Sequence, residues 1–247
     1  MQESVPAIFY KHLTRTMQKV TRMEEKKKPE VTSIVEDYLG VLLTLERDQM
    51  PATGAVLAKH LSVSPPTVTN TFKRMKRDGL ILMDEVKKVH LTDFGREIAE
   101  SVMRRHMLTE WWLENTLNVP WSETHLESHD IEHALSKNIE KRLQELIKTV
   151  KTCPHGNPLP GYENYVQNWT PLSQFQQGEQ GILRRIHEFG EDHSELLKHL
   201  EQHEFFPGVT FTVKEVLPFN QTMTIDTAHD SITLGLASIK YLFAERS

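Results

Sequence analysis

The spacing of apolar and polar positions in the first third of the chain predicts a series of short elements. A capping-box pattern, Ser-Ile-Val-Glu, begins a predicted helix over residues 33–48. Two more helices are predicted over 54–61 and 65–77, and a serine followed by two prolines opens the second of them. Two short apolar runs, 80–83 and 86–91, flank an Asp-Glu pair and predict a two-stranded hairpin. This order of elements is typical of a winged helix-turn-helix, which binds DNA.

The rest of the chain divides into a helical segment and a segment with the alternation of strands. Three helices are predicted over residues 93–113, 121–135 and 137–149, and a proline-rich turn follows them. Residues 162–178, which contain many Gln and Asn, have the composition of a linker. Beyond them, short apolar runs predict a small α+β or barrel-like domain with strands near 181–186, 209–216, 223–226 and 239–243 and a helix near 191–203.

Composition agrees with a folded protein of two or three domains. The chain has 247 residues, of which 38% are hydrophobic and 26% charged, and this argues against a mainly disordered chain. No run approaches the roughly 18 apolar residues of a membrane helix, and the N-terminus lacks an apolar signal core. The expectation is therefore a cytoplasmic protein without a membrane partner. The single cysteine, Cys153, excludes an internal disulfide framework.

Charge is distributed unevenly along the chain. Residues 1–88 carry 15 Lys and Arg against 11 Asp and Glu, a net charge of +4, whereas residues 89–247 carry 14 against 23, a net charge of −9. Basic residues at helical spacing over 5–28 predict an amphipathic helix, which is either solvated or in contact with DNA or a partner. The asymmetry suggests nucleic acid at the front of the chain and cations at the back.

The second helix of the predicted winged helix-turn-helix is the candidate recognition helix. It has no acidic residue between positions 63 and 77, and its first turns would reach base edges in a major groove. The residues expected near the groove are Ser64, Pro66, Thr67, Thr69 and Asn70, and those expected near phosphates are Lys73, Arg74 and Arg77.

Histidines and carboxylates in the middle segment have the spacing of a metal site. His106 and Glu110 are four residues apart on one predicted helix. On the next predicted helix, Glu132 accompanies three histidines at intervals of four, which are His125, His129 and His133. Because positions i, i+3 and i+4 share a helix face, these side chains can converge. Imidazole with carboxylate suits Mn, Fe, Co or Zn, whereas Mg and Ca favour oxygen alone.

One motif within this group has a competing interpretation. Residues 129–133 match His-x-x-Glu-His, the signature of a class of zinc metallopeptidases. This alternative would leave the winged helix-turn-helix without a role.

Six short blocks resemble the family of metal-dependent transcriptional repressors typified by the diphtheria toxin repressor and the manganese transport regulator. The blocks are Glu36-Asp-Tyr-Leu39, Ser64-Pro-Pro-Thr-Val-Thr69, Leu91-Thr-Asp-Phe-Gly95, Arg105-His-Met-Leu-Thr-Glu110, Glu132-His-Ala-Leu-Ser136 and Cys153-Pro-His-Gly-Asn-Pro-Leu-Pro160. The resemblance implies a mainly α fold with small β parts. It divides the chain into a basic arm (1–31), a winged helix-turn-helix DNA-binding domain (32–95), a helical metal-binding and dimerisation domain (96–161), a linker (162–178) and a C-terminal SH3-like barrel of the FeoA type (179–247).

The resemblance also implies two metal sites in a homodimer that binds palindromic operators of metal-uptake genes. The primary site would consist of Asp37, His129, Glu132 and His133. The ancillary site would consist of His106, Glu110 and His125 with a ligand from the barrel, for which His193 has the best spacing and Glu191, Asp192 and Glu195 are alternatives. The abundance of large apolar residues over 96–149 fits a dimer interface, although the flanking domains could also cover them.

The identity of the metal is the least determined expectation. Iron-sensing members have methionine and cysteine where this chain has Asp37 and His129. Manganese-sensing members have a carboxylate at the second of these positions and another where this chain has Gly40. A site without sulfur favours Mn(II) or Fe(II), with Mn(II) narrowly preferred and Zn or Co able to substitute. An architectural DNA-binding protein that is stabilised by metal but senses nothing is a third possibility.

Overall fold

The computed structural model describes residues 31–247. The basic helix expected over residues 5–28 lies outside the described residues. In the described part, no helix combines the length and apolar content required to cross a bilayer.

The first five elements follow the predicted order. They are α1 (Ser33–Arg47), α2 (Gly54–His60), α3 (Pro65–Arg77), β1 (Ile81–Met83) and β2 (Val89–Leu91). The two strands pair antiparallel and form a wing that is shorter than the predicted hairpin, because residues 84–88 form its turn.

The core of this domain lies between the three helices. Tyr38 and Leu42 of α1 are buried with Leu57, Phe72 and Met75. The rings of Tyr38 and Phe72 meet edge to face with centroids 6.2 Å apart. Apolar burial of this kind supplies the main driving force for docking the helices. Because this face of α3 is buried, its opposite face is left for solvent.

Three helices form the middle of the chain. These are α4 (Asp93–Leu117), α5 (Thr124–Glu132) and α6 (Lys137–Leu146). Thr92 caps α4, which runs a turn further than predicted and ends where Asn118 adopts a left-handed conformation (φ 54°). Gly95 in its first turn permits close approach to the wing, since a Cβ there would lie 2.0 Å from the carbonyl oxygen of Leu80.

The C-terminal domain is a six-stranded antiparallel sheet that is covered by short helices. Its strand order is β3-β8-β4-β5-β6-β7. In chain order the elements are β3 (Thr170–Pro171), β4 (Gln180–Ile186), α7 (Glu188–Glu191), α8 (Ser194–Gln202), β5 (Thr210–Leu217), β6 (Thr222–Asp226), β7 (Ser231–Gly235), α9 (Leu236–Ile239) and β8 (Leu242–Arg246).

Three details of this domain differ from the expectations. Strand β7 is absent from the sequence-based prediction, and Ile239 ends a short helix instead of beginning a strand. The expected linker over 162–178 contributes Leu172 and Phe175 to the core of the sheet, where both are buried. Residues from 170 onward are therefore part of the C-terminal domain.

Candidate metal centre

Asp37, His129, Glu132 and His133 form one group of potential metal ligands, which we call the first cluster. One donor atom from each residue lies within 4.8 Å of the others. His133 Nε2 is 2.9 Å from Asp37 Oδ1 and 3.3 Å from Glu132 Oε1. Asp37 belongs to α1 of the DNA-binding domain, whereas the other three come from α5 and the residue that follows it. The first cluster therefore spans two domains.

Glu36 and Arg105 hold the first cluster from outside. The carboxylate of Glu36 accepts from His133 Nδ1 at 2.6 Å and from an Nη2 donor of Arg105 at 3.0 Å. Arg105 Nε also donates to the backbone carbonyl of Glu132 at 2.8 Å. A carboxylate on the far nitrogen of a ligand histidine fixes the ring and its tautomer. His133 Nε2 is thereby presented to Asp37 and Glu132.

His106, Glu110, His125 and Glu191 form the second cluster, again within 4.8 Å. His106 Nε2 is 3.0 Å from both Glu110 Oε1 and His125 Nδ1. His125 Nδ1 is 2.9 Å from Glu191 Oε2. His106 also connects the two clusters, because its Nδ1 is 2.5 Å from Glu132 Oε2.

The residue that the C-terminal domain brings to the second cluster is Glu191, at the end of α7. The structure does not bring His193 there, although that residue had the best spacing in the sequence. The ring of His193 lies against Tyr241 instead, with centroids 5.4 Å apart. The short helix α7 turns Glu191 inward, whereas His193 falls in the exposed connection between α7 and α8.

The structure also brings Cys153 of the proline-rich turn into this region. Its buried Sγ is 4.0 Å from Glu191 Oε1. Together with His155 it forms a third group that shares Glu110 and Glu191 with the second cluster. The proline-rich turn carries both residues inward, because Trp111 Nε1 and Trp121 Nε1 donate to the carbonyls of Thr152 and Pro154.

Electrostatics hold these groups charged despite their burial. Burial alone would lower the pKa of His106, but the charges of Glu110 and Glu132 outweigh it and raise that pKa to about 10. Burial would likewise raise the pKa of Glu132, but the charge and hydrogen bond of His106 lower it to about 2. At Asp37 the balance is the reverse, and burial raises the carboxyl pKa.

The donor sets fit a divalent cation. Among the described residues, two buried carboxylate oxygens form no well-aligned hydrogen bond, Asp37 Oδ1, although His133 Nε2 is 2.9 Å away, and Glu110 Oε2, and each belongs to one cluster. Buried polar atoms are rarely left in this state unless something else satisfies them. Nitrogen and oxygen donors without sulfur in the first cluster are suited to Mn, Fe, Co or Zn.

The predicted DNA-contacting residues share one side of α3. Ser64, Pro66, Thr67, Thr69, Asn70, Lys73 and Arg77 are exposed, and Arg74 is half-buried. Ser64 is the N-cap and accepts from the backbone N–H of Thr67 at 3.4 Å. The opposite side, with Val68, Phe72 and Met75, is packed into the core. The exposed face of α3 is therefore basic and polar.

Comparison with known proteins gives a consistent result for all three domains. Residues 30–89 match the family model described as the N-terminal DNA-binding domain of iron-dependent repressors. Residues 92–161 match the model for their metal-binding and dimerisation domain, and residues 170–246 match a FeoA domain.

Individual relatives extend over most of the chain. The iron-dependent repressor IdeR of Mycobacterium bovis is 30% identical over 216 residues, which are 83% of this chain and 94% of that protein. The diphtheria toxin repressor of Corynebacterium diphtheriae is 34% identical over 134 residues, 54% of this chain and 59% of that protein.

Solved structures of metal-dependent repressors are similar to this chain over most of its length. A manganese-dependent transcriptional repressor in complex with manganese is 25% identical and covers 86% of this chain and all of its own, with a TM-score of 0.75. ScaR with bound Zn²⁺ is 26% identical over 86% of this chain and 99% of its own, with a TM-score of 0.71.

These matches cover the winged helix-turn-helix that the peptidase alternative left without a role, and they cover the metal-binding helices as well. The chain belongs to the family of iron-dependent repressors that includes the diphtheria toxin repressor, and it is a metal-dependent DNA-binding transcriptional repressor rather than an enzyme.

Proposed function

We propose that this repressor uses Mn(II) or Fe(II) as its co-repressor, with Mn(II) preferred, and that the first cluster is the site at which the metal controls DNA binding. The observation that carries the proposal is the position of Asp37. It is the only residue of the first cluster that the DNA-binding domain contributes. A divalent cation bound there would supply positive charge to ligands from two domains at once.

The chain's own residues prepare this junction. Glu36 and Arg105 orient His133, and His106 holds Glu132 from the side of the second cluster. Asp37 Oδ1 lies 2.9 Å from His133 Nε2 but forms no well-aligned hydrogen bond with it or with any other described residue, so a cation would complete this contact of α1. Ligation of Asp37 would fix the angle between α1 and the helical domain. Metal then favours DNA binding only to the extent that it favours this arrangement over the others.

We propose that the second cluster takes a second divalent ion through His106, Glu110, His125 and Glu191. Its donors are again two imidazoles and two carboxylates. The ion would contribute to repression by holding the C-terminal domain against α4 and α5. Zn or Co could substitute at either cluster, because both bind nitrogen and oxygen donors more tightly than Mn does.

We propose further that a homodimer binds palindromic operators of metal-uptake genes, and that it does so in the cytoplasm. Two recognition helices about 34 Å apart would occupy successive major grooves on one side of the duplex. Ser64, Pro66, Thr67, Thr69 and Asn70 would face base edges. Lys73, Arg74 and Arg77 would face phosphates.

The deciding experiment is DNA binding by the metal-stripped protein and by Asp37→Ala, titrated with Mn(II), Fe(II) and Zn(II) at constant salt. The DNA is a fragment selected from a random pool by the wild-type protein in Mn(II). We expect the wild type to gain at least ten-fold in affinity, about 1.4 kcal/mol. Asp37→Ala should remain a folded dimer without this gain. Metal-stimulated binding by Asp37→Ala would refute the assignment, and tight binding by the metal-free wild type would indicate the architectural alternative.

The recognition face has its own test. Arg77 is exposed and pairs with Asp78, Nε to Oδ1 at 2.8 Å, an exposed pair of the kind that contributes little and can open toward a phosphate. Arg77→Ala should weaken binding to all sequences alike and reduce the slope of log K against log salt by about one unit. An unchanged slope, measured by fluorescence anisotropy from 50 to 200 mM salt, would show that Arg77 misses the backbone.

A further inference from the structure

Four charged side chains, two of them buried and two partly buried, connect the C-terminal end of α1 to the C-terminal domain, and neither cluster uses them. We call them the interdomain network: Arg47, Asp48, Arg185 and Glu188. Arg47 Nη1 is 2.5 Å from Glu188 Oε1, and Arg185 Nη2 is 2.8 Å from Asp48 Oδ2. Arg185 Nη2 also donates to Glu188 Oε2 at 3.0 Å. No side chain of the four is more than 16% exposed.

The charges of this network balance, two guanidinium groups against two carboxylates. Burial alone would raise the pKa of Glu188, but the charges of Arg47 and Arg185 lower it to about 2. His187 adds a further contact, with Nε2 2.9 Å from Asp48 Oδ2. Asp48, His187 and Glu188 lie close enough to hold a cation, but the two arginines already occupy the carboxylate oxygens. The network is therefore a structural connection and not a third metal site.

A hydrogen-bonded path leads from this network to the second cluster. Arg185 Nε donates to Asn157 Oδ1 at 2.5 Å, and Asn157 Nδ2 donates to Glu191 Oε1. The other oxygen of Glu191 faces His125 at 2.9 Å. Asn157, Arg185 and Glu191 are each at most 2% exposed. In a region of such low dielectric, a change in the orientation of one polar group is felt strongly by the next.

The backbone around Asn157 is pinned against β4. Asn157 Nδ2 donates to the carbonyl of Ile186 at 2.7 Å, and the N–H of Ile186 donates to the carbonyl of His155 at 2.8 Å. Gly156 has φ +91°, and a Cβ there would lie 2.0 Å from the carbonyl oxygen of Arg184. The path therefore has little room to absorb a movement of Glu191 locally.

We propose that Arg185 is a positioning residue for the DNA-binding domain: it connects Glu191 of the second cluster, through Asn157, to Asp48 at the end of α1. A cation on the second cluster fixes Glu191, and the path carries this constraint to the end of α1 opposite Asp37. The DNA-binding domain is thereby held at two places on its first helix, directly by the first cluster at Asp37 and indirectly, through Asn157 and Arg185, by the second cluster at Asp48. The inference rests on the proposed function of the clusters.

The test compares Arg185→Met with Arg184→Met in the full-length protein. Arg184 is the neighbouring residue on β4, and its exposed pair with Glu245 lies within the C-terminal domain. Arg185→Met leaves two carboxylates with one arginine. The double variant Arg185→Met/Glu188→Gln removes one charge of each sign and is therefore measured beside it. Each variant is examined by amide hydrogen exchange with and without Mn(II), and by binding to DNA selected with the wild-type protein.

In the wild type and in Arg184→Met, Mn(II) should slow exchange over residues 44–50 as well as over 125–133. In Arg185→Met and in the double variant Arg185→Met/Glu188→Gln, protection of 125–133 by Mn(II) should persist and protection of 44–50 should be lost. The affinity of both variants for DNA at saturating Mn(II) should fall at least ten-fold. Wild-type protection of 44–50 in a folded Arg185 variant would overturn the proposal while leaving the role of the first cluster intact. A wild type whose DNA binding ignores Mn(II) would overturn both.

Discussion

Asp37 and Asp48 lie at opposite ends of α1, and their surroundings are opposite in kind. Asp37 faces imidazoles and another carboxylate, and burial raises its pKa. Burial would raise the pKa of Asp48 as well, but hydrogen bonds from His187, Arg47 and Arg185 outweigh it and hold that pKa far below its usual range. One aspartate is incompletely paired in the protein alone, whereas the other is fully paired.

The difference distinguishes two attachments of α1: one at Asp37, which depends on a cation under the proposed function, and one at Asp48, which the protein makes by itself. Guanidinium groups are always charged and satisfy carboxylates in a fixed geometry, so the Asp48 end of α1 is paired in the protein alone, and a cation on the second cluster would only restrain this contact further. Imidazoles exchange protons and bind metal ions, so under the proposed function the Asp37 end, where Glu36 already pairs with Arg105 and His133, would be completed when a cation binds the first cluster. A helix that is anchored at one end and conditional at the other can change its direction with little change in its own structure.

The largest expected effect is on the free energy of unfolding, when alanine replaces Asp37 and Asp48 in separate variants. Asp48→Ala leaves two buried arginines with one carboxylate, and removal of one partner from a buried ion pair costs about 3–5 kcal/mol. Asp37→Ala should cost far less in the metal-free protein, because burial already disfavours its charge. Urea unfolding of the metal-stripped variants measures both values. Equal losses of unfolding free energy at Asp37 and Asp48 would contradict the difference proposed between the two ends of α1.

A smaller effect is expected at the residue beside Asp37. Glu36→Ala removes the acceptor for His133 Nδ1 and a partner of Arg105, so the affinity of the first cluster for Mn(II) should fall 10- to 100-fold. Glu36→Gln keeps an acceptor oxygen and should lose less. Glu46→Ala, on the same helix but in an exposed pair with Arg96, is the control. Calorimetric titration with Mn(II) distinguishes the three, and an unchanged dissociation constant in Glu36→Ala would exclude the supporting role.

The smallest effect is a dependence on pH at the Asp48 end of α1. The pKa of Glu188 is lowered to about 2 in the folded protein, from an ordinary value of 4.5. A carboxyl whose pKa is depressed by folding contributes stability above its unfolded pKa, and this contribution is lost as pH falls through the folded pKa. The free energies of unfolding of the metal-free wild type and Glu188→Gln should therefore differ most above pH 5 and converge toward pH 2. Curves that stay parallel over this range would mean that the Glu188 charge is not stabilised by the arginines.

The elements that local sequence determines could be predicted, and those that depend on distant contacts could not. Ser64 caps α3, whose first residues are the two prolines, and Thr92 caps α4, both as expected. Strand β7 alternates between exposed and buried positions, but it was missed because it has only five residues and a short helix follows it directly. Leu172 and Phe175 were assigned to a linker because their burial depends on strands that come later in the chain.

The clusters illustrate the same limit. Helical spacing brings His129, Glu132 and His133 together, and the family resemblance supplied Asp37. Spacing along the chain favoured His193 over Glu191, because spacing alone does not show which side chains of the four-residue helix α7 point toward the second cluster. Arg185 and Asp48 are 137 residues apart, and no local pattern connects them. The interdomain network could only be found in three dimensions.

The attachment of α1 at both ends has a mechanical consequence. Asp37 precedes Asp48 by 11 residues, which is about 16 Å along the helix axis. With the Asp48 end fixed, a shift of about 2 Å at Asp37 tilts the helix by about 7°. In a dimer with twofold symmetry the two DNA-binding domains tilt in opposite senses, so the angle between them changes by about twice as much. Under the proposed function, a shift of this size at Asp37 on cation binding would turn the DNA-binding domain about the Asp48 end of α1, and Asp48 itself would not contact the cation.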